Sequence, residues 1–290
     1  MATTLTPLAE GFSFLECPRW HDGRLWLSDF YAYRVLSLTG PDDVRTEAEV
    51  PQQPSGLGWL PDGRLLVVSM RDRRVLRREH DGTLVEHADL SALAPFHLND
   101  MLVDDEGRAY VGDFGFDLMT GAPIAPTGLV VVEPDGTARV GARDLLFPNG
   151  MVLSPDGGEL VVAETFGQRL TAFPRDAAGS LGAPRTWAAF GDAPTTTDVG
   201  EALATASAGP DGIAAAGDGT IWVADALFHR LLHVAEGGSV LEEVSTGDLG
   251  VYAVAVGGPD GRTLYACAAP SFAEHERRGT REAVLLHGTL

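Results

Sequence analysis

Residues Phe14–Phe30 read FLECPRWHDGRLWLSDF. A short strand runs into a tight turn at His21-Asp22-Gly23-Arg24, and an apolar second strand, LWLSD, follows. Asp-Gly readily supplies the positive φ that a two-residue hairpin turn needs, so the stretch is a hairpin. One residue does not fit a plain hairpin. Glu16 puts a carboxylate at the mouth of an apolar strand, with Arg19 as the cation nearby.

The same pattern recurs along the chain. Turns of the Asp-Gly kind, flanked by apolar runs of strand length, stand at Asp22-Gly23, Asp62-Gly63, Glu106-Gly107, Asp156-Gly157, Asp218-Gly219 and Asp260-Gly261, with spacings of 40, 44, 50, 62 and 42 residues. A third apolar stretch follows each, such as YRVLSL, TGLVVVEP or HRLLHVAE, and several then reach another turn (EHDGT, EPDGT, AEGGS). No helical periodicity is sustained. Units of about 40 to 50 residues with three or four strands each are the period of a propeller blade, so the fold class is all-β, a six-bladed β-propeller. The Gly-His and Trp-Asp marks of the WD type are missing. No linker or composition shift divides the chain, and residues 1–290 read as a single domain. The first ten or so residues are expected to close the ring against the last blade, since an open ring would expose an edge. The widest interval, Gly191–Gly209, reads as a long loop over one face.

The 290 residues are 44% apolar, enough for a large core, and carry 21 basic against 41 acidic residues for a net charge of −20. Every basic residue is Arg; there is no Lys. That balance argues against nucleic acid and other polyphosphate partners, whose affinity rests on cationic neutralisation. No segment resembles a signal peptide, and no apolar run reaches the roughly 18 residues of a membrane helix. Cys17 and Cys267, without an export signal, read as reduced thiols of a cytoplasmic protein.

The turn glycine serves as a ruler. Seven or eight residues before it the first strand begins, and the phased positions are Glu16, Ser55-Gly56, Asn99-Asp100, Asn149-Gly150, Asp211-Gly212 and Ala253-Val254. First strands of propeller blades line the central channel, so Glu16, Asn99, Asn149 and Asp211 are expected to converge on one axis. Converging carboxylates repel and raise each other's pKa. With no Lys in the chain and no Arg in this phase, a divalent cation in the channel resolves the repulsion, and carboxylate plus amide oxygens suit a hard one. The alternative is a water-filled, hydrogen-bonded tunnel. At the end of each second strand stand Asp29, Ser69, Asp113, Glu164, Asp225 and Cys267; acids there are read as acceptors of turn backbone N–H groups.

With their contexts, ECPRW (16–20), HLND (97–100), FPNGMVLSPDG (147–157) and GPDGI (209–213), the phased residues resemble the SMP-30/gluconolactonase/LRE family of six-bladed propellers over roughly residues 10–270. The resemblance implies one divalent metal ion, Ca²⁺ first with Zn²⁺ or Mn²⁺ in other members, held by Glu16, Asn149 and Asp211. It implies lactone hydrolysis, with Asn99 contacting the substrate or the water on the metal, and with Asp117, by a looser match, contacting the substrate. Where sugar-lactone members carry Arg two residues before that Asn, this chain has His97, a smaller group with one donor and one acceptor. Phe96, Leu98, Phe114, Phe116, Leu118 and Met119 lie nearby in sequence, and an entrance more apolar than an aldonolactone needs is one reading of them; blade-to-blade packing is the other.

The expected chemistry is water attack on a small lactone or related ester. Asp211 is the first candidate for the base and Asp100 the second, since a carboxylate held by a dication loses basicity. Asn99 orients the substrate and His97 aids the leaving oxygen. No Gly-x-Ser-x-Gly appears and Cys17 has no adjacent base, which argues against a covalent intermediate. Two alternatives stand: a metal-dependent propeller working on a non-sugar ester, an organophosphate or an enolisable intermediate, and a non-catalytic cation-binding propeller. The mouth loops His97–Thr127 and Gly191–Gly209 are expected to set the substrate.

Overall fold

The computed structural model describes residues 3–290, arranged as six four-stranded antiparallel sheets. Five sheets take four consecutive strands each. The sixth stacks Gly250–Gly257, Thr263–Ala269 and Ala283–Thr289, then borrows Thr6–Phe12 as its outermost strand. Thr6 pairs with His287 and Phe12 with Ala283. The N-terminal segment therefore closes the ring as the sequence suggested, and the last blade keeps a paired edge.

All six ruler glycines sit in the left-handed region, from φ +69° at Gly157 to +87° at Gly107. Their turns need that conformation. In the first hairpin His21 pairs with Arg24 across the turn and Trp20 with Leu25. Second strands are sandwiched between neighbouring blades; Leu65–Ser69, Ala109–Asp113 and Ile221–Asp225 are buried along their whole length. That explains why they read as continuous apolar runs rather than alternating ones. Trp222, Tyr110 and Phe173 are among the largest fully buried side chains in these interfaces.

The innermost strands are Leu15–His21, Pro54–Trp59, Leu98–Val103, Pro148–Leu153, Pro210–Ala215 and Gly250–Gly257, neighbours in ring order about the axis. Each breaks register with its hairpin partner near its start: Glu16/Arg19, Pro54/Leu57, Leu98/Met101, Pro148/Met151, Pro210/Ile213 and Val251/Ala253. A bulge re-aims a side chain and bends the strand; in blades two to five it spans the phased residue, in blade one it follows Glu16, and in blade six it falls at Tyr252, one residue before the phased Ala253. Glycine follows the phased residue where strands crowd. A Cβ on Gly150 would lie 2.4 Å from the Ile213 nitrogen, and one on Gly212 would lie 2.6 Å from the Ala253 Cα.

Two loop expectations need correction. Gly191–Gly209 contains a helix, Val199–Thr205, whose start is capped by the Asp198 carboxylate accepting from the Glu201 N–H at 2.9 Å. Most of His97–Thr127 is a hairpin, and the loop proper is residues 114–126 between strands Ala109–Asp113 and Thr127–Val132.

Candidate functional site

The bulged ends of the inner strands open into a cavity of ≈ 320 Å³. Glu16, His97, Asn99, Asp117, Asn149 and Asp211 all line it. Asp100 does not. Its carboxylate accepts from Arg19 Nη2 at 2.9 Å and from the Met101 N–H at 2.7 Å. Arg19 thus reaches the centre from three residues beyond Glu16, a cation that the phased positions alone do not count.

Glu16 and Asp211 are buried, at 8% exposure each. Burial pushes Asp211 well above the ordinary carboxylate range and the Asp100 charge adds to it, while the Asn149 amide and the Gly212 N–H pull back. Burial likewise raises Glu16, with Asp211 and Asp100 adding; the Cys17 N–H and Arg19 oppose. Each group is pushed toward its neutral form because the chain supplies too few donors and cations to hold the charged one. The Oδ1 atom of Asp211 is buried and has no hydrogen-bond partner within the chain. Asn149 donates its amide nitrogen to Thr165 Oγ1 at 3.3 Å, which is fixed in turn by donating to the Pro210 carbonyl at 2.7 Å. The amide oxygen of Asn149 is then the atom available to a cation. Asn99 is anchored through its amide nitrogen to the Pro148 carbonyl, 3.3 Å away.

Two buried acids, one of them with an unpartnered carboxylate oxygen, and an amide oxygen form a donor set suited to a hard divalent cation. Among the described residues no three His, Cys, Asp or Glu side chains converge as a metal-binding group; the set formed here has two carboxylates, and its third oxygen belongs to an amide.

The outer acids have a different life. Asp29 accepts from the Ser13 and Phe14 N–H groups at 3.0 and 3.2 Å and pairs with Arg34 at 3.1 Å. Glu164 accepts from the Leu146 N–H at 2.8 Å and pairs with Arg169 at 2.7 Å; Asp225 accepts from the Gly209 N–H at 2.8 Å and pairs with Arg230 at 2.9 Å. Each acid staples its strand end to the segment entering the same blade. In blade three the third strand begins at Thr127 after a longer loop and brings no such Arg, and Asp113 holds only the Gly115 N–H (2.7 Å) and the Thr127 hydroxyl (2.7–2.8 Å). Burial lifts it to about 6.

The cavity wall follows the ruler at two further offsets. Two residues before the phased position stand Phe14, Gln53, His97 and Phe147; one or two residues after the outer acid stand Phe30-Tyr31, Met70-Arg71, Phe114, Thr165-Phe166 and Ala226-Leu227. All of them line the cavity. Extending the ruler by two residues either way would have found them. Phe114 stacks on Phe147 with centroids 4.5 Å apart, and Phe166 meets Phe147 edge-on at 5.6 Å, so the aromatic group both packs between blades and faces the cavity. His97 stacks on Phe96 at 4.2 Å. Burial lowers its pKa and the Arg71 charge adds, Asp117 and Glu274 opposing, which keeps the ring neutral near pH 7. At the mouth Arg71 donates to Gln53 Oε1 (2.8 Å) and Glu274 Oε1 (2.7 Å), and Tyr31 donates its hydroxyl to the Phe272 carbonyl (2.9 Å). Asp117 accepts from the Thr120 N–H at 3.2 Å.

Cys17 and Cys267 are both free and buried. No helix among the described residues is long and apolar enough to cross a membrane.

A ring of bulged inner strands presenting carboxylate and amide oxygens to an axial cavity defines a class of propeller, and comparison with known proteins gives the family. Residues 14–269 match the SMP-30/Gluconolactonase/LRE-like region, so the chain belongs to that family. It is 28% identical over 257 residues to 6-deoxy-6-sulfogluconolactonase from Pseudomonas putida, covering 86% of this chain and 81% of that protein. It is also 28% identical over 268 residues to pentonolactonase XacC from Haloferax volcanii, covering 88% and 81%. The crystal structure of a calcium-binding protein, regucalcin from Agrobacterium tumefaciens, superposes with a TM-score of 0.74 at 20% identity, over 98% of this chain and 92% of that one, and shares the fold.

Proposed function

We propose that this protein hydrolyses lactones, with a divalent cation held by Glu16, Asn149 and Asp211. The observation that carries this reading is the unpartnered Oδ1 atom of Asp211, buried beside Glu16 on a cavity that Asn99 and Asn149 also line. The two curated relatives named as lactonases support it. Ca²⁺ is the first choice of ion, with Zn²⁺ and Mn²⁺ as the others that such oxygens accept.

Bound there, the cation supplies Lewis acidity toward the lactone carbonyl. The chain does the rest. Water adds to the carbonyl carbon, the acyl C–O bond of the ring breaks, and the product is a hydroxy acid. Asp211 takes the proton of the attacking water at a carboxylate oxygen, buried on the cavity that it shares with Glu16. Asp100 is the weaker candidate, because it does not line the cavity and its Oδ1 is taken by Arg19 and the Met101 N–H. Asn99, fixed by the Pro148 carbonyl, orients the ring, and the neutral His97 offers one donor to the leaving oxygen or to a substituent beside it. Asp117 contributes at the mouth. The surrounding aromatic residues limit water around the reacting carbonyl, which strengthens every polar contact there.

The substrate is a small molecule, and neither nucleic acid nor a membrane is part of this reading. The free buried thiols agree with a reducing, cytoplasmic setting. Elemental analysis of the purified protein, followed by γ- and δ-lactones assayed with Ca²⁺, Mn²⁺ and Zn²⁺, tests the proposal. Full activity after exhaustive chelation would overturn the metal-dependent reading, and inertness toward every lactone would overturn the hydrolytic one.

A further inference from the structure

Several polar groups of the cavity are tied to others within the chain. Gln53 accepts from Arg71, Arg71 donates onward to Glu274, and Thr165 joins Asn149 to the Pro210 carbonyl. Asn99 is tied to the Pro148 carbonyl and Asp117 to the Thr120 N–H. The wall of the cavity that also holds Glu16, Asp211, Arg71 and Glu274 includes Phe14, Phe30, Phe114, Phe147, Phe166 and Tyr252, each no more than 9% exposed. Leu203, on the short helix, and Leu227 continue the apolar surface toward the mouth.

An aldonolactone carries a hydroxyl on nearly every ring carbon. Each one moved from water against these aromatic faces loses hydrogen bonds that an aromatic face does not replace. An apolar substituent has the opposite balance. Resting on the lactonase reading of the same site, we infer that the substrate class is a hydrophobic lactone, whose ring carbonyl faces Glu16 and Asp211 and whose alkyl or aryl substituent fills the aromatic sleeve toward Leu203 and Leu227. His97, stacked on Phe96, belongs to that sleeve; its neutral ring has one donor for one oxygen, not a fork for several hydroxyls.

Two measurements test this and keep it separate from the hydrolytic reading. The first is kcat/KM for δ-lactones with hydrogen, propyl, pentyl and phenyl substituents on the carbon bearing the ring oxygen, set against a polyhydroxylated δ-lactone. Each added methylene is expected to raise kcat/KM by about fourfold until the sleeve is full. The second is calorimetric binding of the matching δ-lactams, which resist hydrolysis: affinity should climb along the same series, with a negative heat-capacity change. Leu203→Asn, a half-buried site on the short helix, should flatten both series while the polyhydroxylated compound holds or gains. Lactam affinities that climb while no lactone turns over would uphold the apolar binding sleeve and overturn hydrolysis, and with it the lactone as substrate. A polyhydroxylated lactam that binds as tightly as the pentyl one, or affinities independent of chain length, would overturn the inference whether or not lactones are cleaved.

Discussion

Two rings of phased residues, each carrying acids, run round the same end of the propeller, and the partners of those acids set them apart. Asp211 and Asp225 belong to the two strands of one hairpin, in which Pro210 pairs with Asp225. Asp225 is closed by the Gly209 N–H and the Arg230 guanidinium. Asp211, one residue beyond Pro210, keeps a buried oxygen with no partner in the chain. Asp29 and Glu164 repeat the closed arrangement, while Glu16, buried on the cavity beside Asp211, has no Arg partner of that kind. A buried acid whose acceptors are all filled is a structural staple, whereas a buried acid left short of donors is held in readiness for something the chain does not contain.

The widest separation of the two rings should come from Glu16→Gln and Asp211→Ala. Both are expected to lose the divalent cation and at least about a thousandfold in kcat/KM, on the scale of deleting a principal transition-state contact. In the metal-free state both should melt no lower than the parent, since each substitution removes a buried charge that lacks compensation. Steady-state kinetics, elemental analysis and calorimetry of the same preparations check this together. A staple variant should behave in the opposite way. Asp29→Ala strands the Ser13 and Phe14 N–H groups and unpairs Arg34, so it is expected to cost about 2–4 kcal/mol by chemical denaturation while activity per folded molecule holds.

A smaller effect tests the crowding at the axis. Gly212→Ala places its methyl 2.6 Å from the Ala253 Cα, which forces adjacent inner strands apart. The expected loss is about 1–3 kcal/mol, together with weaker cation binding because Asp211 is the neighbouring residue. Blade three supplies the smallest and most specific effect. Asp113 is pushed up to about 6 in the folded protein from an ordinary value of 3.8. The folded state then holds a proton that the unfolded state releases, so stability should rise as pH falls through about 6 and level off below about 4. Between about pH 7 and pH 5 the gain is about 1 kcal/mol, and Asp113→Asn should remove that slope from the difference between the two proteins' curves.

The blades were legible because each turn repeats one backbone requirement: Asp-Gly and its kin stand where φ is positive, and the apolar runs between them are strands buried on both sides. The convergence of Glu16, Asn99, Asn149 and Asp211 was legible for the same reason, since equal phase on equal strands means equal distance from the axis. Three things were harder to see. Arg19 sits out of phase, and only the long reach of its side chain brings it to Asp100. The helix Val199–Thr205 is too short to show a period, though the spacing of Asp198 and Glu201 is a capping signature. The aromatic wall comes from residues just outside strand ends, where turns differ from blade to blade, as at residues 114–126, and pattern alone does not say which way a side chain points.

The comparison between the rings reduces to one pair of residues in one blade. Divalent-cation binding measured by calorimetry on the parent, Asp211→Asn and Asp225→Asn should give one bound ion for the parent and for Asp225→Asn, the latter with a lowered melting temperature. Asp211→Asn should bind none and melt as the metal-free parent does. A parent that binds no divalent cation, or an Asp211→Asn protein that binds one as tightly as the parent, would contradict the account.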